Sequence, residues 1–235
     1  MKYVYLCLSA LFLLGGCAVM DLSTQDTAIP LYPDKVEVSA YFGAGVDLDT
    51  AVRTGGEDDP QDENKVSIDG NYGCKLSLGM TPRVDLSGIF FLAAKSHGFK
   101  YGCKILLYRE GEHYLAAIPM LTSVRGKYER SNAFENTYAV YRANGGEAQL
   151  LYTYRAGKVV SFTGACRVNY SSFSKFYNGV NYGPYAVIHG GIRGNARFNL
   201  YAFHLTPELG LEYIPIVNGG SALKHLFSLG IGARL

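Results

Sequence analysis

The fold is decided by the stretch "KVEVSAYFGAGVDL", residues 35–48, in which two kinds of side chain alternate without a break. Its even positions, from Val36 to Leu48, are all aliphatic or phenylalanine. Its odd positions, from Lys35 to Asp47, are charged, small or tyrosine. A period of two residues is typical of a β-strand with two different faces. These fourteen residues exceed the five or six of an ordinary strand in a soluble domain.

Residues 66–80 repeat this alternation, again with apolar side chains at most even positions. Similar segments predict further strands over 84–94, 98–109, 112–124, 147–155, 158–170, 198–205, 208–217 and 222–235. The composition agrees, because 28 Gly and 19 Tyr with only 18% charged residues suit strands better than helices. The sequence therefore predicts an all-β fold: an antiparallel up-and-down transmembrane β-barrel of about ten strands, within a range of eight to twelve.

The connections between these strands are of two lengths. Tight turns are predicted near 81–83, 109–112, 156–157 and 206–207, and longer, polar connections near 49–64, 125–146, 171–183 and 217–221. Residues 125–146 and 171–197 also contain strand-like pieces that could extend a hairpin. Alternation of short and long connections is typical of membrane barrels, with turns on the periplasmic side and loops outside. We expect the long connections to share one end of the barrel, where recognition by an extracellular ligand would take place.

Alternation alone leaves open which face is outside. We predict that the even-numbered residues of 36–48 and 66–80 face lipid, because the other face is rich in Gly and Ser, which suit a narrow lumen. That face also carries charges of both signs that could pair with one another inside the barrel, namely Lys35, Glu37, Asp47, Asp69, Lys75, Lys104 and Arg167. The alternative is a soluble, lipid-anchored, lipocalin-like barrel that has its apolar face inside and binds an apolar ligand.

The amino-terminal segment predicts export. Lys2 precedes the apolar run 4–14, which is too short for a spanning helix, and the small residues Gly15 and Gly16 follow. The motif Leu14-Gly15-Gly16-Cys17 resembles the lipobox of bacterial lipoproteins, and the resemblance implies that the Cys17 thiol is acylated, as with palmitate, after cleavage before it. The alternative is an ordinary signal peptide followed by a chance cysteine.

The domain organisation follows from this resemblance. We expect a cleaved signal peptide over 1–16, a lipidated amino terminus and tether over 17–33, and a β-barrel domain over 34–235. Cys17 is the only lipidation site predicted. If the lipid sits in the inner leaflet of the outer membrane, the tether should join the barrel at its turn end, where an even number of strands would also return Leu235.

From Pro30 onward the pattern is similar to that of small outer-membrane β-barrel proteins, although the last residue is Leu235 where that group usually has an aromatic residue. The resemblance implies a location in the outer membrane of a Gram-negative bacterium. It also implies contact with outer-membrane lipid and with the barrel-assembly and lipoprotein-sorting machineries. The net charge of +2, with no basic cluster, argues against nucleic acid as a partner.

The candidate sites for chemistry are weak. "YGCK" occurs at 72–75 and 101–104, with a looser copy at 164–167, but Cys74, Cys103 and Cys166 share the apolar parity of their strands. Lipid-facing thiols are therefore favoured over a disulfide or a metal site. Five histidines are scattered singly, and the acidic run 55–64 lacks EF-hand spacing.

The function predicted from these observations is non-catalytic, with no catalytic residue, cofactor or metal assigned. We expect a lipid-anchored outer-membrane β-barrel with a structural, surface-interaction or minor transport role. Besides the lipocalin-like alternative, a barrel enzyme acting on lipid or peptide stays open, although no recognisable catalytic spacing occurs.

Overall fold

Ten antiparallel strands close into a barrel in the computed structural model, which describes residues 19–21, 23, 25–47, 68–93, 96–132, 135–177, 179–216 and 221–235. A further short strand, β1 (Val19–Asp21), precedes them. The barrel strands are β2 (Val36–Asp47), β3 (Ile68–Thr81), β4 (Val84–Ala93), β5 (Ser96–Glu110), β6 (His113–Asn132), β7 (Glu135–Ala156), β8 (Val160–Tyr177), β9 (Val180–Leu200), β10 (Phe203–Pro215) and β11 (Ser221–Arg234).

Each barrel strand pairs with its neighbour in the chain, and β11 returns to pair with β2. Leu235 and Val36 close the ring through two backbone hydrogen bonds, of 2.8 and 3.3 Å. The predicted all-β, up-and-down, ten-stranded barrel is therefore confirmed. The described part of the chain contains no helix long and apolar enough to cross a membrane.

The two ends of the barrel differ. The end that carries the connections at 82–83, 111–112, 157–159 and 201–202 is called the turn end, and the opposite end is called the loop end. Three of the predicted tight turns lie at the turn end. Gly111 and Gly157 occupy two of them with positive φ angles of 54° and 88°, a conformation that glycine adopts without steric cost.

The fourth predicted turn is wrong, because Thr206 and Pro207 lie inside β10. The chain turns instead at Tyr201 and Ala202. Pro207 fits within the strand because the pairing of β10 with β9 is interrupted between Leu205 and Glu208, so the missing N–H of Pro207 falls at a gap in that ladder.

The alternation predicts the two faces of β2 and β3 correctly. In β3, Leu76 and Leu78 point outward, whereas Lys75 and Ser77 are almost fully buried inside. In β2, Val38 and Phe42 are exposed, and only Val46, beside β1, departs by being buried. The apolar face is therefore outside, which is the reverse of a lipocalin-like barrel.

The segments 125–146 and 171–183 were expected to be longer connections, but their described residues 125–132, 135–146, 171–177 and 180–183 are strand. The pairing of β6 with β7 continues to Asn132 and Glu135, and the pairing of β8 with β9 continues to Tyr177 and Val180. A polar, glycine-containing sequence can form paired strands here. Where water contacts both faces of the strands, the backbone hydrogen bonds between them do not require apolar side chains at alternate positions. The predicted loop 49–64 lies outside the described residues, as does nearly all of 217–221.

The two hairpins form a sheet that projects at the loop end. β6 continues for six residues beyond Gly126, which pairs with Ser96, the first residue of β5. β9 begins at Val180, ten residues before Gly190, which is the first residue of β9 that pairs with β10. At about 3.3 Å per residue, the sheet of β6 to β9 extends roughly 20–33 Å along its strands past its neighbours. We call this part the projecting sheet.

The described residues of 19–33 do not form an external tether. They are called the lumen segment: the described residues from Met20 to Leu31 lie inside the barrel, and Tyr32 and Pro33 are exposed at its turn end. β1 pairs with β2 through Val19–Asp47 and Asp21–Gly45, which places the start of the segment at the loop end. The segment joins β2 at the turn end, as expected, where the Asp34 N–H donates to the Gly79 carbonyl and where Leu235 also lies. The expectation that the chain enters the barrel from that end is wrong, because the first described residues of the segment lie at the loop end. The signal segment 1–16 and Cys17 lie outside the described residues.

Candidate functional site

The outer surface of the barrel is an apolar band bounded by aromatic side chains. In β10, Phe203 and Tyr213 are exposed at the two ends and Leu205 and Leu209 lie between them. Ten residues separate Phe203 from Tyr213, and at about 3.3 Å each and a tilt of about 40° they span roughly 25 Å. β8 repeats the arrangement, from Phe162 to Tyr170. A band of this height with two aromatic girdles is the surface of an outer-membrane β-barrel.

The lumen segment is bonded to the barrel wall along its whole described length. Near the loop end, Tyr41 and Asn71 donate hydrogen bonds to the Asp21 carboxylate at 2.9 and 2.7 Å. Halfway down, the Gln25 amide donates to Ser228 at 2.6 Å. Towards the turn end, the Leu31 N–H donates to Asp85 at 3.0 Å. Many polar groups of this irregular segment are therefore satisfied by side chains of the wall rather than by a ladder, whereas the Ser23 and Thr27 hydroxyls and the Gln25 Oε1 have no partner among the described residues.

Ion pairs join the segment to the wall on one side of the lumen. Asp26 is paired with Lys75, and its Oδ1 lies 3.3 Å from the Lys104 Nζ. Lys104 is also paired with Asp85 at 2.9 Å. All four side chains are buried. Because each charge has a partner of opposite sign, their burial is tolerated, whereas a lone charge at this position would be strongly destabilising.

A second group of ion pairs crosses the lumen at about the same depth. Glu212 lies 3.1 Å from Arg167 and 2.8 Å from Arg193, and His189 contacts it at 2.7 Å. Glu147 connects this group to Lys100, at 2.9 Å. A third, smaller group lies at the turn end. There Glu37 is paired with Arg197 at 2.5 Å and with the half-exposed Arg234 at 2.8 Å.

The buried charges of the described lumen nearly balance, with one more acid than bases. The described side chains include seven buried acids, Asp21, Asp26, Glu37, Asp85, Glu147, Glu208 and Glu212. They also include six buried bases, Lys75, Lys100, Lys104, Arg167, Arg193 and Arg197. Four of the lumen charges predicted from the sequence are buried in the lumen: Glu37, Lys75, Lys104 and Arg167. Their ion-pair partners are residues that the alternation in the sequence did not identify as lumen charges. Lys35 is exposed at the turn end, and the side chains of Asp47 and Asp69 lie outside the described set.

Above the charged layer, the loop end of the lumen is apolar. Phe91, Met120 and Ile214 are buried there, and Tyr141 stacks on Phe173 with ring centroids 6.1 Å apart. Met20 of β1 belongs to the same buried cluster. The sequence did not indicate this apolar cap, because its residues have the inward parity that is polar elsewhere in the barrel. Together, the cap and the lumen segment occupy the loop end and the middle of the described lumen.

Three inward-facing glycines make room for the lumen segment. A Cβ atom at Gly43 would collide with Ser23, one at Gly230 with Gln25, and one at Gly79 with the backbone of Tyr32. The Gly and Ser of the inner face were correctly assigned to a crowded lumen. What crowds it is the amino-terminal segment rather than side chains of the strands alone.

The other residues selected from the sequence do not form a site. Cys74, Cys103 and Cys166 are free thiols on the outer face, as the apolar interpretation predicted. The histidines are dispersed: His189 and His204 are buried in two different ion-pair groups, and His113 contacts Tyr152 on the outside. Within the described residues, no three His, Cys, Asp or Glu side chains are placed to hold a metal ion. The acidic run 55–64 lies outside those residues.

Comparison with protein-family models and with curated proteins finds no match. Among solved structures, the chain is similar to the outer membrane protease OmpT from Escherichia coli, with 11% identity, a TM-score of 0.47 and coverage of 90% of this chain and 98% of that one. It is similar to an outer membrane channel from Pseudomonas putida F1, with 12% identity, a TM-score of 0.49 and coverage of 92% and 100%. It is also similar to the translocator domain of the autotransporter NalP from Neisseria meningitidis, with 10% identity, a TM-score of 0.46 and coverage of 100% and 94%.

Proposed function

We propose that this protein is a lipid-anchored β-barrel of the Gram-negative outer membrane that acts by binding at the cell surface. The observation that carries the proposal is the apolar, aromatic-bounded exterior around a lumen filled by the chain itself. The exterior supports insertion in the outer membrane. The filled lumen supports a surface role over transport, because no solute can pass while the lumen segment and apolar cap are in place.

The projecting sheet is the surface we assign to recognition. It continues the rigid barrel, so its side chains are presented with little loss of conformational freedom on binding. Its described part offers both charge and aromatic area: Lys175 lies over the ring of the half-buried Tyr177 at 5.2 Å, and Arg142 and Phe176 are exposed. Such a combination suits a protein or glycan partner outside the cell.

Thiol labelling on intact cells tests this orientation. In a chain whose Cys74, Cys103 and Cys166 are replaced by Ser, Arg142→Cys should react with a membrane-impermeant maleimide. The matched variant Arg155→Cys, at the turn end, should react only after the outer membrane is permeabilised. Labelling of Arg155→Cys alone in intact cells would mean that the barrel has the opposite orientation. Labelling of neither variant before permeabilisation would contradict the surface role.

We include acylation of Cys17 in the proposal. Val19 lies at the loop end, and two residues span at most about 7 Å. This supports a lipid held on the outer side of the membrane, with the chain then passing through the lumen. Radiolabelled palmitate should label the wild-type protein and not the Cys17→Ser variant. Persistent labelling of that variant would contradict the lipobox assignment.

An enzymatic role is not favoured by the geometry. The contact of His189 with Glu212 resembles part of a catalytic relay, but both side chains are fully buried and paired within the charged layer. Glu212 is already engaged by two arginines, and a substrate would have to displace the lumen segment to reach it. We therefore propose a non-catalytic protein.

A further inference from the structure

The turn end of the barrel contains a cavity of about 400 Å³. It lies between the last part of the lumen segment, from Thr27 to Tyr32, and the ends of the surrounding strands. Its floor is formed by buried Ser161 and Arg197, and its rim by exposed turn residues such as Lys158. A volume of this size is within the range of small-molecule sites.

The lining of this cavity is strongly cationic. Six basic side chains border it, and no acidic residue is among its described lining: the basic residues are Lys35, Arg109, Arg155, Lys158, Arg197 and Arg234. Two carboxylates lie behind the lining and offset part of this charge. Glu37 holds Arg197 and Arg234, and exposed Glu112 lies 3.8 Å from Arg155. Lys35, Arg109 and Lys158 add positive charge beyond these pairs, so the cavity attracts anions.

Three buried donors lining the cavity have no partner in the described part of the protein. They are the Thr27 hydroxyl, the Ser161 hydroxyl and the Nε–H of Arg197. Each of these residues is more than nine-tenths buried. Buried polar groups without a partner are costly, so a molecule bound in the cavity would be stabilised if these side chains turned towards it and completed their hydrogen bonds. A guanidinium and two hydroxyls are donors that suit an oxyanion.

We propose that this cavity is a binding site for a small, free anion that carries phosphate or carboxylate groups and enters from the turn end. The oxyanion accepts hydrogen bonds from Thr27, Ser161 and Arg197, while the rim cations attract it to the mouth. Because Thr27 belongs to the lumen segment, the bound anion also links that segment to the wall. A ligand here would therefore hold the segment in place.

Calorimetric titration of the folded protein in detergent with inorganic pyrophosphate tests the site. The wild type should bind it saturably. The double variant Thr27→Val/Ser161→Ala removes two unpaired hydroxyls with little change of shape, so it should fold and bind about tenfold or more weakly. The matched control is Thr122→Val, since Thr122 also has a buried, unpaired hydroxyl but does not line the cavity. It should bind as the wild type does.

A charge-reversal variant and a titration with lipid complete the test. Heat-modifiable migration on gels shows that each variant folds. Exposed Lys158→Glu should weaken binding about fivefold, whereas Arg125→Glu, at the loop end, should not. The site is overturned if pyrophosphate does not bind saturably, or if Thr122→Val weakens binding as much as the double variant does. Binding of short-chain phosphatidylglycerol in place of pyrophosphate would overturn the assignment to a free anion and indicate a lipid headgroup.

Discussion

Leu76→Arg should lower the free energy of unfolding by about 2–4 kcal/mol, the cost of an arginine on the lipid face near the bilayer midplane. Leu76 is exposed near the middle of β3, where it pairs with Val38 and Gly88. In water, an exposed leucine could be replaced by arginine at almost no cost. The effect therefore arises only if hydrocarbon surrounds this face.

Met80→Arg is the matched control, because Met80 lies on the same face of the same strand but beside the turn end. Near the interface the cost should be only about 0–1 kcal/mol. Both variants can be refolded into lipid vesicles and unfolded with urea. Equal stability of the two variants would contradict the assignment of the outer face to lipid.

Asp26→Ala should lower the free energy of unfolding by about 3–5 kcal/mol, because it leaves buried charge without its partner. Lys75 would lose its described ion-pair partner, and Lys104 would keep only Asp85. Asp26 is also one of two described acids, with Asp21 beside Lys100, through which the lumen segment is held to the wall by charge. The variant should therefore loosen the segment as well as destabilise the barrel.

Two measurements separate these effects for Asp26→Ala. Urea unfolding in vesicles gives the stability, and conductance across a planar bilayer should rise above that of the wild type if the segment leaves the lumen. Glu112→Ala serves as the control, since it removes an exposed ion pair of 3.8 Å and should cost less than about 1 kcal/mol. An Asp26→Ala protein as stable as Glu112→Ala would mean that the segment is not anchored through Asp26.

The barrel could be predicted from the sequence because its two faces meet different surroundings. Every second residue of β3, from Tyr72 to Met80, is exposed to the outside, so the alternation carries the strand and its orientation together. The same logic located the free cysteines on the outer face. It failed at Thr206-Pro207, because a proline at a gap in the ladder has the same local sequence as a turn.

The lumen segment could not be predicted in the same way. An irregular segment held by individual hydrogen bonds, such as that from Leu31 to Asp85, has no periodicity to detect. Its signals were present in separate places: inward glycines at Gly43, Gly79 and Gly230, and two acids at Asp21 and Asp26. Only the closed barrel brings them together.

The full length of the projecting sheet could not be predicted, for another reason. Beyond the membrane both faces of a hairpin can meet water, so the alternation fades while the ladder continues from Gly126 to Asn132. A strand without two different faces has the composition of a loop. The apolar cap was missed because Phe91 and Phe173 have inward parity, which is polar elsewhere in the same barrel.

Disulfide formation in native outer membranes tests the path of the lumen segment, and with it the central claim of a barrel filled from its loop end. The background replaces Cys74, Cys103 and Cys166 by Ser. Ser23→Cys with Gly43→Cys should cross-link on oxidation, because a side chain at Gly43 would meet Ser23 directly. Ser23→Cys with Gly79→Cys, at the turn end, should not. Cross-linking of the second pair in place of the first would place the segment in the opposite direction, and the absence of both cross-links would contradict a segment inside the lumen.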